Sequence, residues 1–493
     1  MATKRACPEA ATVLSLPHVL ASIAQCLQSP SAALAFLSAL PLTSLDTALA
    51  ATKELLTRPG PFIHTWPHLG LDDIHGDRAA LALEALPALL FLQEPETERT
   101  DRSMSETDTV ILADVVASWP LKVTYFDTQW SHARDARYPR TIDSDVVGAL
   151  LRRCTRLRSV TLSARKDVAK LLAAMTTPAH RVEKLCLEYE GDETLDWTSL
   201  LRPWLATGHA RHLSFNNAGT TDIKGLALAL ATASSLTGLG IDNNNALVRA
   251  IVALQMPLHQ LREVHLRTHG PKSLRAFVQL CDLTKLTSLA LACNGYFANV
   301  MSLVSRMPAL RHLSLSECTL RDDAGGASHW PHLKSIELFE VNFERDACKA
   351  ILAYLARVQG LQKITLHSCH DLCRGFVGRR RNLLRLINNG LTLASFESTW
   401  IDDSDATHLV RVLRQIRNPL PLTLDLTVDD FTMAGIRSLV DVLTTCTAVC
   451  IKIDIPPDTY EEEFEPFLAT HGMASVLEGA CSYALYSPPR MLT

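Results

Sequence analysis

The chain has 493 residues, 47% of them apolar and 20% charged, so it can build a core and is not disordered as a whole. Its net charge of −4 lacks the basic excess with which general nucleic-acid or membrane-surface binders neutralise phosphate, so neither partner is expected. Thirteen cysteines, odd in number and without paired spacing, fit reduced thiols in a cytoplasmic or nuclear protein.

In chain order, residues 1–12 carry Lys4, Arg5, Pro8 and Glu9 with no apolar stretch of the kind a secretory signal needs, and read as a tail. Residues 13–60 form a helical segment. Ser15 or Pro17 opens a helix with Leu20, Ile23 and Leu27 along one face, and a second helix starts at Ser31 after a Ser-Pro break. The order Leu16, Pro17, Leu20, Ile23, Leu27 resembles the first half of an F-box. The second half departs from that pattern, because Ala39-Leu-Pro-Leu-Thr-Ser-Leu45 has neither Cys-Arg nor a Trp. Trp66-Pro-His-Leu69-Gly-Leu71-Asp72 then looks like the strand that links an F-box to repeats. The resemblance implies that Leu16, Pro17, Leu20, Ile23 and Leu27 dock on a Skp-type adaptor of a cullin-RING ubiquitin ligase. The same helices also suit a cap over the apolar edge of a first repeat, and sequence alone leaves both open. Leu81 to Leu92, the most apolar run, carries Glu84 and Pro87 and falls short of the roughly 20 residues that span a bilayer. Glu94 to Thr109 is polar and unpatterned, a surface insertion.

From residue 121 a leucine phrase recurs. Leu310-Arg-His-Leu313-Ser-Leu315-Ser-Glu-Cys318-Thr-Leu320 fills every fixed position of L-x-x-L-x-L-x-x-C-x-L. Further copies begin at Leu157, Val182, Ala210, Leu236, Leu261, Leu286, Leu333, Leu361 and Leu391, about 23 to 30 residues apart, with degenerate ones at Leu121, Pro421 and Ala448. Between them run helical stripes such as Val168, Leu171, Leu172, Met175 and Leu274, Phe277, Val278, Cys281. The stripes at Val300 to Met307 and Ile436 to Leu443 have the same spacing. Strand plus helix, repeated, predicts an α/β leucine-rich-repeat solenoid over residues 61–455. Helices wider than the strand spacing would bend it into a horseshoe with strands inside. Asn244, Asn294, Cys318 and Cys369 fill the consensus Asn/Cys position where the phrase leaves its strand. The pattern resembles the ribonuclease-inhibitor-like subclass of these repeats. Residues 456–493, with Glu461, Glu462, Glu463 and Glu465, read as a C-terminal cap.

Candidate chemistry is sparse. His367, Cys369, His370 and Cys373 are zinc-type ligands within seven residues, but the register turns Cys369 inward and His367 outward, so they should not converge. Arg374, Arg379, Arg380, Arg381 and Arg385 read as a solvated loop and helix face. No phosphate-cradling glycine loop, G-x-S-x-G, H-E-x-x-H or paired-cysteine zinc motif occurs, so neither cofactor nor enzymatic activity is expected. Alternation along the strands instead predicts an outward, concave strip for a protein partner, containing Glu263, His265, Arg267, Glu337, Phe339, Lys363 and His367. Small residues at Ser288, Ala290 and Ala292 should leave a shallow pocket there. Phe339, an aromatic with no packing reason to point outward, is the first candidate for binding.

Overall fold

The computed structural model describes residues 17–27, 29–57, 78–89, 125–127, 144–163, 168–188, 194–216, 219–298, 300–321, 331–344, 347–355, 357–373, 380–416, 420–427, 431–455, 459–471, 473, 475–477 and 482–487. The chain divides into two compact units, residues 1–193 with 199–210, and residues 194–198 with 211–493. The division falls inside the repeats. Each repeat touches only its neighbours, so a boundary can fall between any two of them.

Among its described residues the first unit opens with helices α1 Pro17–Cys26, α2 Pro30–Ala39, α3 Thr47–Thr57 and α4 Arg78–Ala85. Ser29 caps α2 by accepting from the Ala32 N–H at 3.1 Å, and Pro30 supplies a first helical residue that needs no donor. The α4 helix packs on α3, and the turn at 86–88 packs on α1 and α3, where Gln25 Nε2 donates to the Ala88 carbonyl at 2.7 Å. Residues 78–89 therefore pack with the N-terminal helices. Repeats follow: strands β1 Tyr125–Asp127, β2 Ser159–Ser163 and β3 Lys184–Glu188 pair in parallel, and helices α5 Ser144–Leu151 and α6 Val168–Met175 pack together. Phe126 pairs with Val160, not with Leu162 as the copy starting at Leu121 implied. That first copy is read two residues out of register. A slip of two keeps every side chain on its face, so alternation alone could not expose it.

Helix α7, Trp197–Ala206, gives its Trp204 indole N–H to the Val182 carbonyl at 2.8 Å in the first unit. In the second unit Trp197 donates to the Gly219 carbonyl at 3.0 Å and meets Phe215 edge-on. The second unit carries a parallel ladder of β4 His212–Asn216, β5 Gly238–Asp242, β6 Glu263–Arg267, β7 Ser288–Ala298, β8 His312–Arg321, β9 Ser335–Phe339, β11 Lys363–His367, β12 Leu393–Glu397, β13 Leu422–Leu426 and β14 Val449–Asp454. Connections run through α8 Ile223–Thr232, α9 Asn245–Leu254, α10 Pro271–Leu280, α11 Val300–Val304, α12 Ala347–Leu355, α13 Arg380–Asn388, α14 Asp403–Leu413 and α15 Met433–Leu443. The phrase leucines stack strand over strand, Leu289, Leu313, Ile336 and Ile364 lying in one buried row. Each such side chain contributes about 1.5–3 kcal/mol of burial. The helical stripes close the layer, with Leu274, Phe277, Val278 and Cys281 all buried.

A recurrent turn ends several phrases: Asn243, Glu340, Ser368 and Ser398, each directly after its strand, and Glu317 inside β8 have φ between 51° and 55°. This left-handed conformation is unfavourable for a side chain. It is offset by one more rung on the ladder, since the N–H groups of Asn243, Glu340 and Ser368 donate to the Arg267, His367 and Glu397 carbonyls at 3.0, 2.9 and 3.1 Å. The turn also sends the next residue inward: Cys318, Val341, Cys369 and Thr399 are buried. Asn244, at the same position, caps α9 by accepting from the Leu247 N–H at 3.0 Å. Asn294 does not take this position. The register steps from Ala292↔Ser316 to Gly295↔Cys318, so two residues of β7 stand against Glu317 alone, with Cys293 buried and Asn294 exposed. This bulge uses Gly295 at φ 145°, a conformation that residues with a side chain rarely adopt.

Beyond the bulge, β7 and β8 continue together, and β10, Asn342–Phe343, joins β8 to make a short second ribbon. The parallel run ends at β14, which pairs antiparallel with β16 Ser482–Tyr486, itself paired with β15 Ser475–Leu477. A π-helical turn at Tyr460–Phe464 leads into α16, Glu465–Thr470, and Tyr460 stacks on Tyr483 at 4.0 Å. Among the described residues no helix is long and apolar enough to cross a membrane.

Candidate interaction face

Alternation turns one side of each strand in the second unit outward. Glu263, His265, Arg267, Glu337, Phe339, Lys363 and His367 all lie there, between buried Val264, Leu266, Ile336, Leu338, Ile364 and Leu366. Strand register orders these side chains into rows. The row nearest the strand ends runs Asn216, Asp242, Arg267, Ala292, Ser316, Phe339, His367, Glu397.

From β4 to β8 several polar groups of this face bridge one another across small residues, while Asn216 Oδ1 and Asp242 Oδ1 stay buried without a hydrogen-bond partner. The His212 imidazole lies over Gly238 and reaches Glu263 at 3.5 Å, two strands away. A Cβ on Gly238 would stand 2.1 Å from His212 Nδ1, so only glycine leaves room for the ring. In the same way Arg267 passes over Ala292 to bond Glu317, and it lies 3.9 Å from Asp242. At that distance, and shared with Glu317, the guanidinium does not compensate Asp242: burial raises the carboxyl pKa, with Arg267 and His265 pulling it down less strongly. Burial likewise lowers the His265 pKa, although Asp242 opposes it. The expected shallow pocket is absent at Ala292, which is 6% exposed beneath the Arg267–Glu317 pair.

From β9 to β12 the face is different. Lys363 Nζ donates to Glu337 at 2.7 Å. Phe339, 40% exposed, stacks on His367 with ring centres 4.3 Å apart, and His367 Nε2 lies 3.8 Å from Glu397. One turn further on, His370 stacks on Trp400 at 4.1 Å, and Trp400 is 59% exposed. Nδ1 of His367 and of His370 is buried without a hydrogen-bond partner. Sequence reading missed Trp400 because it lies past the strand phrase, in the turn after Glu397, where alternation no longer assigns a direction.

It also missed a row of cations. Arg211, Arg262, Arg311 and Lys334 directly precede β4, β6, β8 and β9, and their carbonyls accept N–H groups from the following strand. Tabulating residue types by repeat position would have found them. Cations thus precede several strands, while Asp242, Glu317, Glu340 and Glu397 lie toward the strand exits together with Arg267 and Arg321.

No family model matches this sequence, and no curated protein is significantly similar to it. Solved structures with similar folds include an internalin, InlF, from Listeria monocytogenes, at 14% identity and TM-score 0.34, the match covering 62% of this chain and 82% of that one. A TLR13–ssRNA13 complex matches at 14% identity and TM-score 0.32, covering 61% of this chain and 40% of that one. The mouse RP105/MD-1 complex matches at 14% and 0.27, covering 64% and 50%. The fold is a leucine-rich-repeat solenoid. Its strand phrases, helical crossovers and parallel ladder are those of the repeat itself.

The cysteine and histidine cluster does not assemble. Cys369 Sγ points inward and donates to the Leu338 and His367 carbonyls at 3.4 and 3.3 Å, while His367 and His370 face outward onto aromatic rings. Burial pushes the Cys369 thiol up to about 11, away from the thiolate that a metal requires. Among the described residues no group of three or more His, Cys, Asp or Glu could hold a metal ion. Of the arginine run, Arg374 and Arg379 lie outside the described residues, and Arg381 and Arg385 are exposed on α13.

Of the F-box-like residues, Leu16 lies outside the described residues, as does Trp66 to Asp72. Pro17 and Leu27 are half-buried, Leu20 is buried, and Ile23 is 38% exposed. The three apolar residues therefore do not share one buried face as expected. The inner stripe of α1 is Leu20, Ala21 and Ala24, whose small side chains let the helix approach its neighbours and leave Ile23 on the solvent side.

Proposed function

We propose that this protein is a recruiting subunit: it holds a protein partner on the outward face of β5–β12 and joins it to a Skp-type adaptor of a cytoplasmic or nuclear ubiquitin ligase through the helices at 17–57. The observation that carries the first half is Phe339, an exposed ring on a strand whose alternate residues are all buried. Exposed aromatics amid charged groups are where protein interfaces concentrate their binding energy. For the second half, the support is the order Leu16, Pro17, Leu20, Ile23, Leu27 and the exposure of Ile23 on α1. In this reading the chain performs no chemistry; it raises the concentration of its target beside a ubiquitin-charged partner.

Co-elution with a purified Skp-type adaptor tests the second half. Wild type is expected to bind, and Ile23→Glu, a solvent-side change that the fold tolerates, to abolish binding. Absence of wild-type binding sinks the adaptor reading. A second reading, that the helices only cap the repeats, is favoured by the burial of Leu20; it leaves the partner face unchanged.

A further inference from the structure

We infer that the partner segment is basic and extended, bears arginine, and lies along the strand-exit rim of β5–β12, across Phe339 and Trp400. This rests on the partner-face reading above and gives it a chemistry. Three observations converge. Asp242, Glu317, Glu340 and Glu397 stand on that rim, where the strand cations among the described residues, Arg267 and Arg321, are already engaged by Glu317 and Glu344. The compensating cations sit at the other end of five-residue strands, about 17 Å away, beyond the screening length of about 8 Å at physiological ionic strength. A ligand at the exit rim therefore meets an acidic field.

Phe339 and Trp400, two of the exposed rings, stand on this same rim. Phe339 ends β9, and Trp400 follows β12 in the turn after Glu397, itself beside His367. Guanidinium groups stack on aromatic faces while pairing with carboxylates, and arginine does both better than lysine. A single-stranded nucleic acid needs the opposite arrangement, aromatic platforms set among cations. Here the cations and the rings are at opposite ends of the strands. From β5 to β12 there are six strand steps of about 4.8 Å, roughly 29 Å, the length of about nine extended residues.

The test is selection of a random linear peptide library on the immobilised full-length chain, counter-selected on the Phe339→Ala, Trp400→Ala double variant, with labelled oligouridine titrated in parallel. Circular dichroism and a thermal melt establish that the variant is folded. Enrichment of arginine-bearing peptides, with binding that weakens as salt rises and falls about tenfold or more in Glu340→Gln, Glu397→Gln, is the expected result. Enrichment of acidic or purely apolar peptides overturns the basic-segment inference but leaves the partner face standing. Oligouridine binding that depends on Phe339 and Trp400 overturns it in favour of nucleic acid. Should nothing be enriched that the double variant fails to bind, both the inference and the face reading fall.

Discussion

The two halves of the outward face are built on the same strands and turns and differ in how they treat their side chains. Between β4 and β8, Gly238 and Ala292 are small so that polar neighbours can bridge over them, His212 to Glu263 and Arg267 to Glu317. Between β9 and β12, Phe339 and Trp400 are stacked from one side by histidines and open on the other. Bridging closes most of the first half, although Asn216 Oδ1 and Asp242 Oδ1 keep no hydrogen-bond partner and Tyr296, beyond the β7 bulge, is exposed. On the strand face itself, aromatic rings are left open only in the second half among the described residues.

Both halves rest on one inner layer, and removing it is the largest effect expected. Burial pushes the thiols of Cys281 and Cys318 up to about 12 and those of Cys293 and Cys369 to about 11, from an ordinary value near 9. A thiol whose folded pKa is raised binds its proton more tightly folded than unfolded. Its contribution is fully present below pH 9 and is lost as pH rises toward 11 to 12. At pH 10 the loss is about 1 kcal/mol per thiol, several kcal/mol for the four together. Denaturant melts at pH 8 and pH 10 measure it, and a stability flat across that interval would show that these thiols are not buried.

The closed half should break next. Arg267→Ala leaves Glu317, whose side chain is 20% exposed, without its cation. Stability is expected to fall by about 1–3 kcal/mol, because a half-buried charge loses its partner. Ala292→Leu, which fills the space under the guanidinium, should cost about as much by displacing it. A fall in the melting temperature of either variant with no change in partner binding supports the division; partner binding lost without destabilisation would put the contact surface on the wrong half.

The repeat architecture was legible because burial enforces it: leucines at fixed spacing can only be an inner row, and their alternation sets the direction of Glu263, Phe339 and His367. What stayed hidden depended on pairings that a single strand does not encode. The bulge at Cys293 and Asn294 arises between two strands, and the first repeat's two-residue slip changes neighbours without changing faces. The Gly238 and Ala292 bridges join residues about 50 apart in sequence, so small residues that looked like an open pocket proved to be spacers. The antiparallel β14–β16 ending was equally invisible, because Val449–Asp454 has the same inward pattern whichever way its neighbour runs. At the N-terminus the alanines of α1, not its larger residues, decide which face packs.

The smallest stability effects should come from the open half, where they discriminate most. Phe339→Ala removes a ring that is 40% exposed and touches chiefly His367, so stability should change by no more than about 0.5 kcal/mol. Thr365→Val, in the same strand group, removes a buried hydroxyl with no hydrogen-bond partner and replaces it with a methyl of similar shape. That substitution should be neutral or stabilising by up to about 1 kcal/mol, since an unsatisfied polar atom is the costliest thing to keep buried. The pair gives a sign test on one ladder, read from melting temperature and partner affinity together. Thr365→Val should raise or hold stability and leave affinity intact, whereas Phe339→Ala should hold stability and lower affinity. If Phe339→Ala instead destabilises by 2 kcal/mol or more, as truncation of a core aromatic would, then the ring is packing material, and the open half is no more a binding surface than the closed one.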